Sequence, residues 1–301
     1  MSIFSTHQGE LAALVTAICW MFTSLSFESA GKKVGSMAVN LIRLVMAIGL
    51  LGTLQYLRFG YFFPEGASVD QWVWLSVSGL VGFVVGDMLL FQAFVVVGAR
   101  ISMLVMSLSP PLAALFGWLV LGEQLTLAHL IGMMVTISGI ALVILGKPVK
   151  GKRIDVKYPL KGVLLAFGGA TGQALGLVLS KLGMGTYDAA SATMIRVIAG
   201  TIGFAILFLF TGHWPRVLQA LKHGAAMVRI SIGAFFGPFL GVSFSLLAIK
   251  YTTTGVASTI MAIVPVLIIP PAIILFKEKV TLKEVVGALL AVAGVAVLFW
   301  F

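Results

Sequence analysis

Continuous apolar runs of about 20 residues, each bounded by charge, proline or glycine, recur along the whole chain. They predict helices over 10–30, 36–57, 71–94, 100–121, 127–146, 160–181, 189–211, 226–249, 255–276 and 283–301. Roughly 20 residues at a rise of 1.5 Å cross a hydrocarbon core of about 30 Å. The runs are apolar at consecutive positions and do not alternate every second residue, so they suit helices and not barrel strands. The longest polar interruption, Lys147-Pro-Val-Lys-Gly-Lys-Arg-Ile-Asp-Val-Lys157, falls between the fifth and sixth runs. It divides the chain into a first five-helix repeat (1–146), a basic linker (147–158) and a second five-helix repeat (159–301).

Composition agrees with the pattern. The chain is 60% hydrophobic and 10% charged, with a mean hydropathy of +1.11, whereas soluble domains carry about 25% charged residues. The net charge of +10 is concentrated in a few loops, so it reads as membrane topology and not as a nucleic-acid footprint. Cys19 is the single cysteine and lies within an apolar run, which excludes an internal disulfide. Residues 1–10 hold no Lys or Arg, and Lys32-Lys33 come after the first apolar run, so no cleavable signal peptide is expected.

The two halves repeat one another. A shift of 155 carries Pro110, Glu123, Thr126, Gly132 and Gly139 onto Pro265, Glu278, Thr281, Gly287 and Gly294, and Gly82 and Gly86 onto Gly237 and Gly241. A shift of 153 carries Gly9, Ile42 and Arg43 onto Gly162, Ile195 and Arg196. Matches at Pro, Glu, Thr, Arg and Gly in one shared order are not the accident that Leu or Ala matches would be. With five helices per half, the second half enters the bilayer from the opposite side. The halves are then inverted about an axis in the membrane plane, an arrangement that suits alternating access. The fold expected is therefore an all-α integral membrane protein of ten transmembrane helices, two inverted five-helix repeats around a central cavity.

The same residues resemble a known family. The Ile-Arg pair at 42–43 and 195–196, Gly86-Asp-Met-Leu-Leu-Phe-Gln-Ala-Phe94, and Ser-Leu-Ser-Pro110 and Ala-Ile-Val-Pro265, followed by Gly-Glu123-Gln-Leu-Thr-Leu and Lys-Glu278-Lys-Val-Thr-Leu, are similar to a drug/metabolite transporter of the EamA type. The resemblance implies a basket of helices with a cavity lined mainly by helices 1, 3, 4, 6, 8 and 9, and with helices 5 and 10 peripheral. It implies cargo as varied as amino acids, sugars, nucleotide derivatives and drugs. Such proteins often place their termini in the cytoplasm, but the charges of this chain argue otherwise. With the N-terminus outside, cytoplasmic loops collect fifteen Lys and Arg against three (Arg58, Lys181 and Lys250), a steep bias under the positive-inside rule.

Within the spans, Asp87 stands out as a carboxylate far from both helix ends. A charge at mid-bilayer costs at least about 2.5–3.5 kcal/mol on insertion scales, so it must face a cavity or a partner, or be protonated. It is the candidate for proton coupling or for binding a substrate amine. Arg43 and Arg196 obey the repeat and read as scaffold first, as anion ligands second. Gln92 and Gln173 are candidate ligand contacts or interhelical glue. Pro110, Pro111 and Pro265 predict kinks beside a cavity, because a mid-helix proline frees a carbonyl that only protein or water can satisfy at that depth. Glu28 and Lys32 have the spacing of a helical ion pair.

Absences narrow the class. No Gly-x-x-x-x-Gly-Lys-Ser/Thr loop is present to hold ATP. No intramembrane Ser/His or His/Cys/carboxylate cluster suggests a protease or a metal centre. The reading is a secondary active transporter, exporter or exchanger, of a small metabolite such as an amino acid, sugar or drug-like compound. It needs no cofactor or metal, has no nucleic-acid partner and sits multi-pass in a cell membrane, with Asp87 the candidate for coupling to protons or for binding a substrate amine. The alternatives are a passive channel or facilitator and a membrane-embedded assembly subunit.

Overall fold

The computed structural model describes residues 7–122, 124, 126–145, 157–251 and 260–300. Glu123 and most of the basic linker 147–158 lie outside them, as does the start of the ninth expected span. Of the described residues 87% are helical, and among them seven helices are long and apolar enough to cross a membrane. One of these, Val69–Met106, is 38 residues long and is two spans, because Gly98 breaks it with non-helical backbone (φ 82°, ψ 162°). Only glycine adopts that conformation without a steric penalty.

The ten spans are then Gln8–Val34, Ser36–Phe59, 69–97, 99–121, Leu127–Ile144, Leu160–Met184, Ala189–Thr211, Gly224–Tyr251, Val264–Phe276 and Leu282–Trp300. Observed ends differ from the expected ones by a few residues because terminal turns with polar side chains remain helical beyond the apolar run. One element was not expected. The short helix Trp214–Lys222 buries Val217 and Ala220 while exposing Arg216, Leu218 and Lys222, the pattern of a helix lying in the interface.

Span packing respects the repeat. Span 5 packs chiefly on span 10, and span 2 on span 7. Span 3 packs on spans 6 and 7, as span 8 packs on spans 1 and 2, and span 4 meets span 6 as span 9 meets span 1. Exchanging the halves maps each of these pairings onto itself or onto another of them. Spans 5 and 10 stand apart as a pair, as the resemblance implied. The main core mixes both halves, with Phe27, Leu44 and Leu51 packed in one cluster with Phe204, Phe208 and Ile230.

The prolines act differently from expectation. Pro110 and Pro111 do not kink the interior of a continuous helix. Span 4 is interrupted at Ser107-Leu108, and the prolines open the next segment, Ser109–Leu121. Pro265 likewise opens Val264–Leu267, and Pro270-Pro271 open Ile269–Phe276. In a first helical turn the missing N–H has no intrahelical acceptor to lose. Spans 4 and 9 are therefore segmented at matching depths, a consequence of the repeated proline.

Candidate functional site

Spans 3 and 8 each contain a π-helical turn, Leu80–Gly86 and Phe235–Gly241, at positions related by the 155-residue shift. A π turn adds one residue to the circuit and rotates the helix beyond it, and such turns concentrate at functional sites. In span 3 the next residue is Asp87, whose N–H bonds the Gly82 carbonyl five positions back. Glycines bring the neighbour close: Gly82 and Gly86 cross Gly176 and Gly172 of span 6, where a Cβ on Gly86 would stand 3.2 Å from backbone atoms of Gly172 and Gln173. This crossing carries Gln173 to the carboxylate.

Asp87 is 5% exposed, and both of its oxygens are occupied. Oδ2 accepts from Nη2 of Arg43, an ion pair between spans 2 and 3. Oδ1 accepts from Nε2 of Gln173 at 2.5 Å, and the same Nε2 reaches the Gly82 carbonyl at 3.2 Å. Asn40, fully buried, donates to the Asp87 backbone carbonyl (3.2 Å) and accepts from Arg43 Nε (3.3 Å). The Arg43 guanidinium also lies over Phe91 (4.7 Å), Phe83 (5.6 Å) and Phe27 (5.8 Å), so its charge is held by one carboxylate and a ring of aromatic faces. Asp87 stands well before the Gly98 break, about 16 Å of helix rise away, which is the depth expected of the bilayer interior.

Arg196 of span 7 reaches the same place from the other half. It sits over Phe83 at 5.0 Å, and its Nε is buried with no hydrogen-bond partner among the described residues. Arg43, Asp87, Gln173 and Arg196 are thus brought together from spans 2, 3, 6 and 7. Gln92 is not among them: its Oε1 accepts from Ser36 Oγ at 2.6 Å, tying spans 2 and 3 together elsewhere. Pro265 is also elsewhere, lining a cavity of about 10 Å³ with Arg100, Leu104, Val143 and Glu284, room for about one water.

A second charged network closes one end of the bundle, and sequence reasoning found only its Glu28–Lys32 corner. Glu28, 1% exposed, accepts the Ala99 N–H at 2.7 Å. The Gly98 break leaves that donor without an intrahelical acceptor, and the carboxylate caps it from another span. Arg100 bonds Glu278 at 2.7 Å and approaches Glu284 at 3.5 Å. Glu284 in turn accepts from the Thr281 N–H (2.8 Å), from Lys157 (2.6 Å) and from the Tyr158 hydroxyl. The hydrogen bond to Glu284 raises the Lys157 ammonium above its ordinary range, and burial raises the Tyr158 phenol. In the first half the equivalent turn is capped by Thr126 and His129. The signal for this network was present as Arg100 close after a glycine and as the Thr-x-x-Glu capping box, but nothing local connects them.

Among known proteins, the sequence matches the EamA-like transporter family twice, over residues 7–145 and 160–300. It is 26% identical over 189 residues to the uncharacterized transporter YvbV of Bacillus subtilis (strain 168), a stretch covering 62% of this chain and 58% of that protein. A protein of known crystal structure superposes with a TM-score of 0.66 at 20% identity, covering 96% of both chains. At that identity the likeness speaks to fold alone.

Proposed function

This chain belongs to the EamA-like transporter family, and from that membership we propose that it is a secondary active transporter, an exporter or exchanger, of a small metabolite such as an amino acid, sugar or drug-like compound. The observation that carries the proposal is the buried ion pair of Asp87 and Arg43, held at the seam between the halves by Gln173 from span 6. In a pair of inverted repeats, transport exchanges the conformations of the halves. Groups that bridge the halves must then remake their contacts at each turnover. A carboxylate whose partners change between two states has a different proton affinity in each, and this is what proton coupling requires. Purified protein in liposomes tests the reading: an outward proton gradient (acidic lumen) should drive uphill accumulation of a transported solute in exchange for protons. Movement that only equilibrates the solute would identify a facilitator.

Orientation is part of the proposal. Both termini face outside, and residues 147–161 face the cytoplasm. The Glu28–Arg100–Glu278–Glu284 network then closes the cytoplasmic end. A fluorescent protein that matures only in the cytoplasm, fused after Phe301, should stay dark, and a bright fusion would reverse the assignment.

A further inference from the structure

The buried cluster carries one positive charge too many. Two guanidinium groups, Arg43 and Arg196, share one carboxylate, and among the described residues its side-chain hydrogen bonds go to Arg43 and Gln173 and none to Arg196. Asp87 Oδ2 is taken by Arg43 and Oδ1 by Gln173. Asn40 Oδ1 is taken by Arg43 Nε. Arg196 lies over the face of Phe83 at 5.0 Å and within electrostatic reach of Asp87, but its buried Nε has no hydrogen-bond partner among the described residues. The repeat sharpens the point. The position that corresponds to Asp87 in the second half is Val242, so that half brings an arginine and no acid of its own. Gly82 keeps side chains away from the guanidinium, since a Cβ there would stand 3.3 Å from Nη2 of Arg196.

A buried polar group without a hydrogen bond calls for an explanation, and a charged one within a membrane is costly enough to demand an anion. We propose that Arg196 binds the carboxylate of the transported solute, and that this transporter therefore takes small organic monoanions. One negative charge neutralises the surplus; a phosphate dianion would leave the cluster negative. The planar fork of a guanidinium matches a carboxylate with two parallel N–H bonds. Phe83, which faces both guanidinium groups at 5.0 and 5.6 Å, would form the wall beside the bound carboxylate. Arg43 and Arg196 then differ in role despite their repeat equivalence: the first is neutralised from within the chain, the second by its cargo. The proposal rests on the transporter reading above.

The test is equilibrium binding, which is independent of whether transport is coupled. Thermal unfolding of the full-length chain in detergent is followed with a series of C2 to C9 monocarboxylates, each beside its uncharged amide, with sodium chloride at matched ionic strength. At least one carboxylate should raise the unfolding midpoint with saturation, by roughly 5 °C well above its Kd, while its amide and chloride do not. In Arg196→Gln the rise should vanish. In Arg196→Lys it should need at least about tenfold more ligand, since the charge remains but the fork is lost. No response to any carboxylate in the wild type, an equal response to the amides, or a response retained in Arg196→Gln would overturn the proposal. Because the wild-type arms need no variant, poor folding of Arg196→Gln leaves the test intact. Uphill uptake in liposomes without carboxylate binding would reject this ligand class while leaving the transporter reading standing.

Discussion

Asp87→Asn is expected to abolish gradient-driven transport, to flatten its pH dependence, and to destabilise the protein. The first two effects come from removing the titrating group while keeping its shape. Some gradient-independent exchange should remain, since binding and conformational exchange do not require the proton. The third comes from the geometry. The carboxylate neutralises Arg43, which is 5% exposed. Removing one partner of a buried ion pair leaves the other charge uncompensated and typically costs about 3–5 kcal/mol. An asparagine can still meet Gln173, so the hydrogen-bond loss is partial. The double variant Arg43→Gln/Asp87→Asn separates the roles: replacing both charges by neutral amides should recover most of the lost stability without restoring coupled uptake. Unfolding midpoints and liposome fluxes at several pH values measure both. Wild-type uptake with unchanged pH dependence in the single variant would make Asp87 a structural hydrogen-bonding residue.

Gly139→Val is expected to prevent assembly of spans 5 and 10 and to remove most folded protein from the membrane. A Cβ at 139 would stand 2.6 Å from the Gly287 carbonyl oxygen and 3.0 Å from Ala291 Cα, both backbone atoms of the facing helix. At Gly294 the same construction meets the Gly132 carbonyl at 2.7 Å. The shift of 155 maps each of these pairs onto the other, and Thr136, whose hydroxyl approaches the Ala291 carbonyl at 3.4 Å, lies between them. The crossing is thus self-complementary about the axis that relates the halves. Small residues allow such close backbone approach between helices in lipid, where packing replaces the hydrophobic effect as the driving force. Overpacking commonly costs about 1–3 kcal/mol when side chains can yield; here only whole helices can. Gly49→Ala is the control, because nothing lies within 4 Å of a Cβ there. Membrane yield and detergent melting compare the two, and a Gly139→Val variant as abundant and stable as Gly49→Ala would reject the crossing.

The spans were legible in the sequence because crossing a bilayer depends on the summed transfer energy of side chains in one contiguous segment, a local quantity. The repeat was legible because glycine, proline and acid positions are constrained by backbone contact and helix segmentation, which both halves share. Asp87 drew notice for the same local reason: a carboxylate among apolar residues needs a partner. Which partner it finds is not a local question. Its contacts come from residues 44 and 86 positions away, and the repeat offered Arg43 and Arg196 as equals. Tertiary structure decided between them, because the π turn before Asp87 aims it at span 2 while the glycine crossing brings Gln173 to its other oxygen. It also decided that the chain breaks at Gly98, that Glu28 caps the resulting helix end, and that the prolines begin segments and do not kink them. Hydropathy registers how much apolar surface a segment carries; only packing determines which polar group meets which, since that depends on the depth and rotation of each helix against its neighbours.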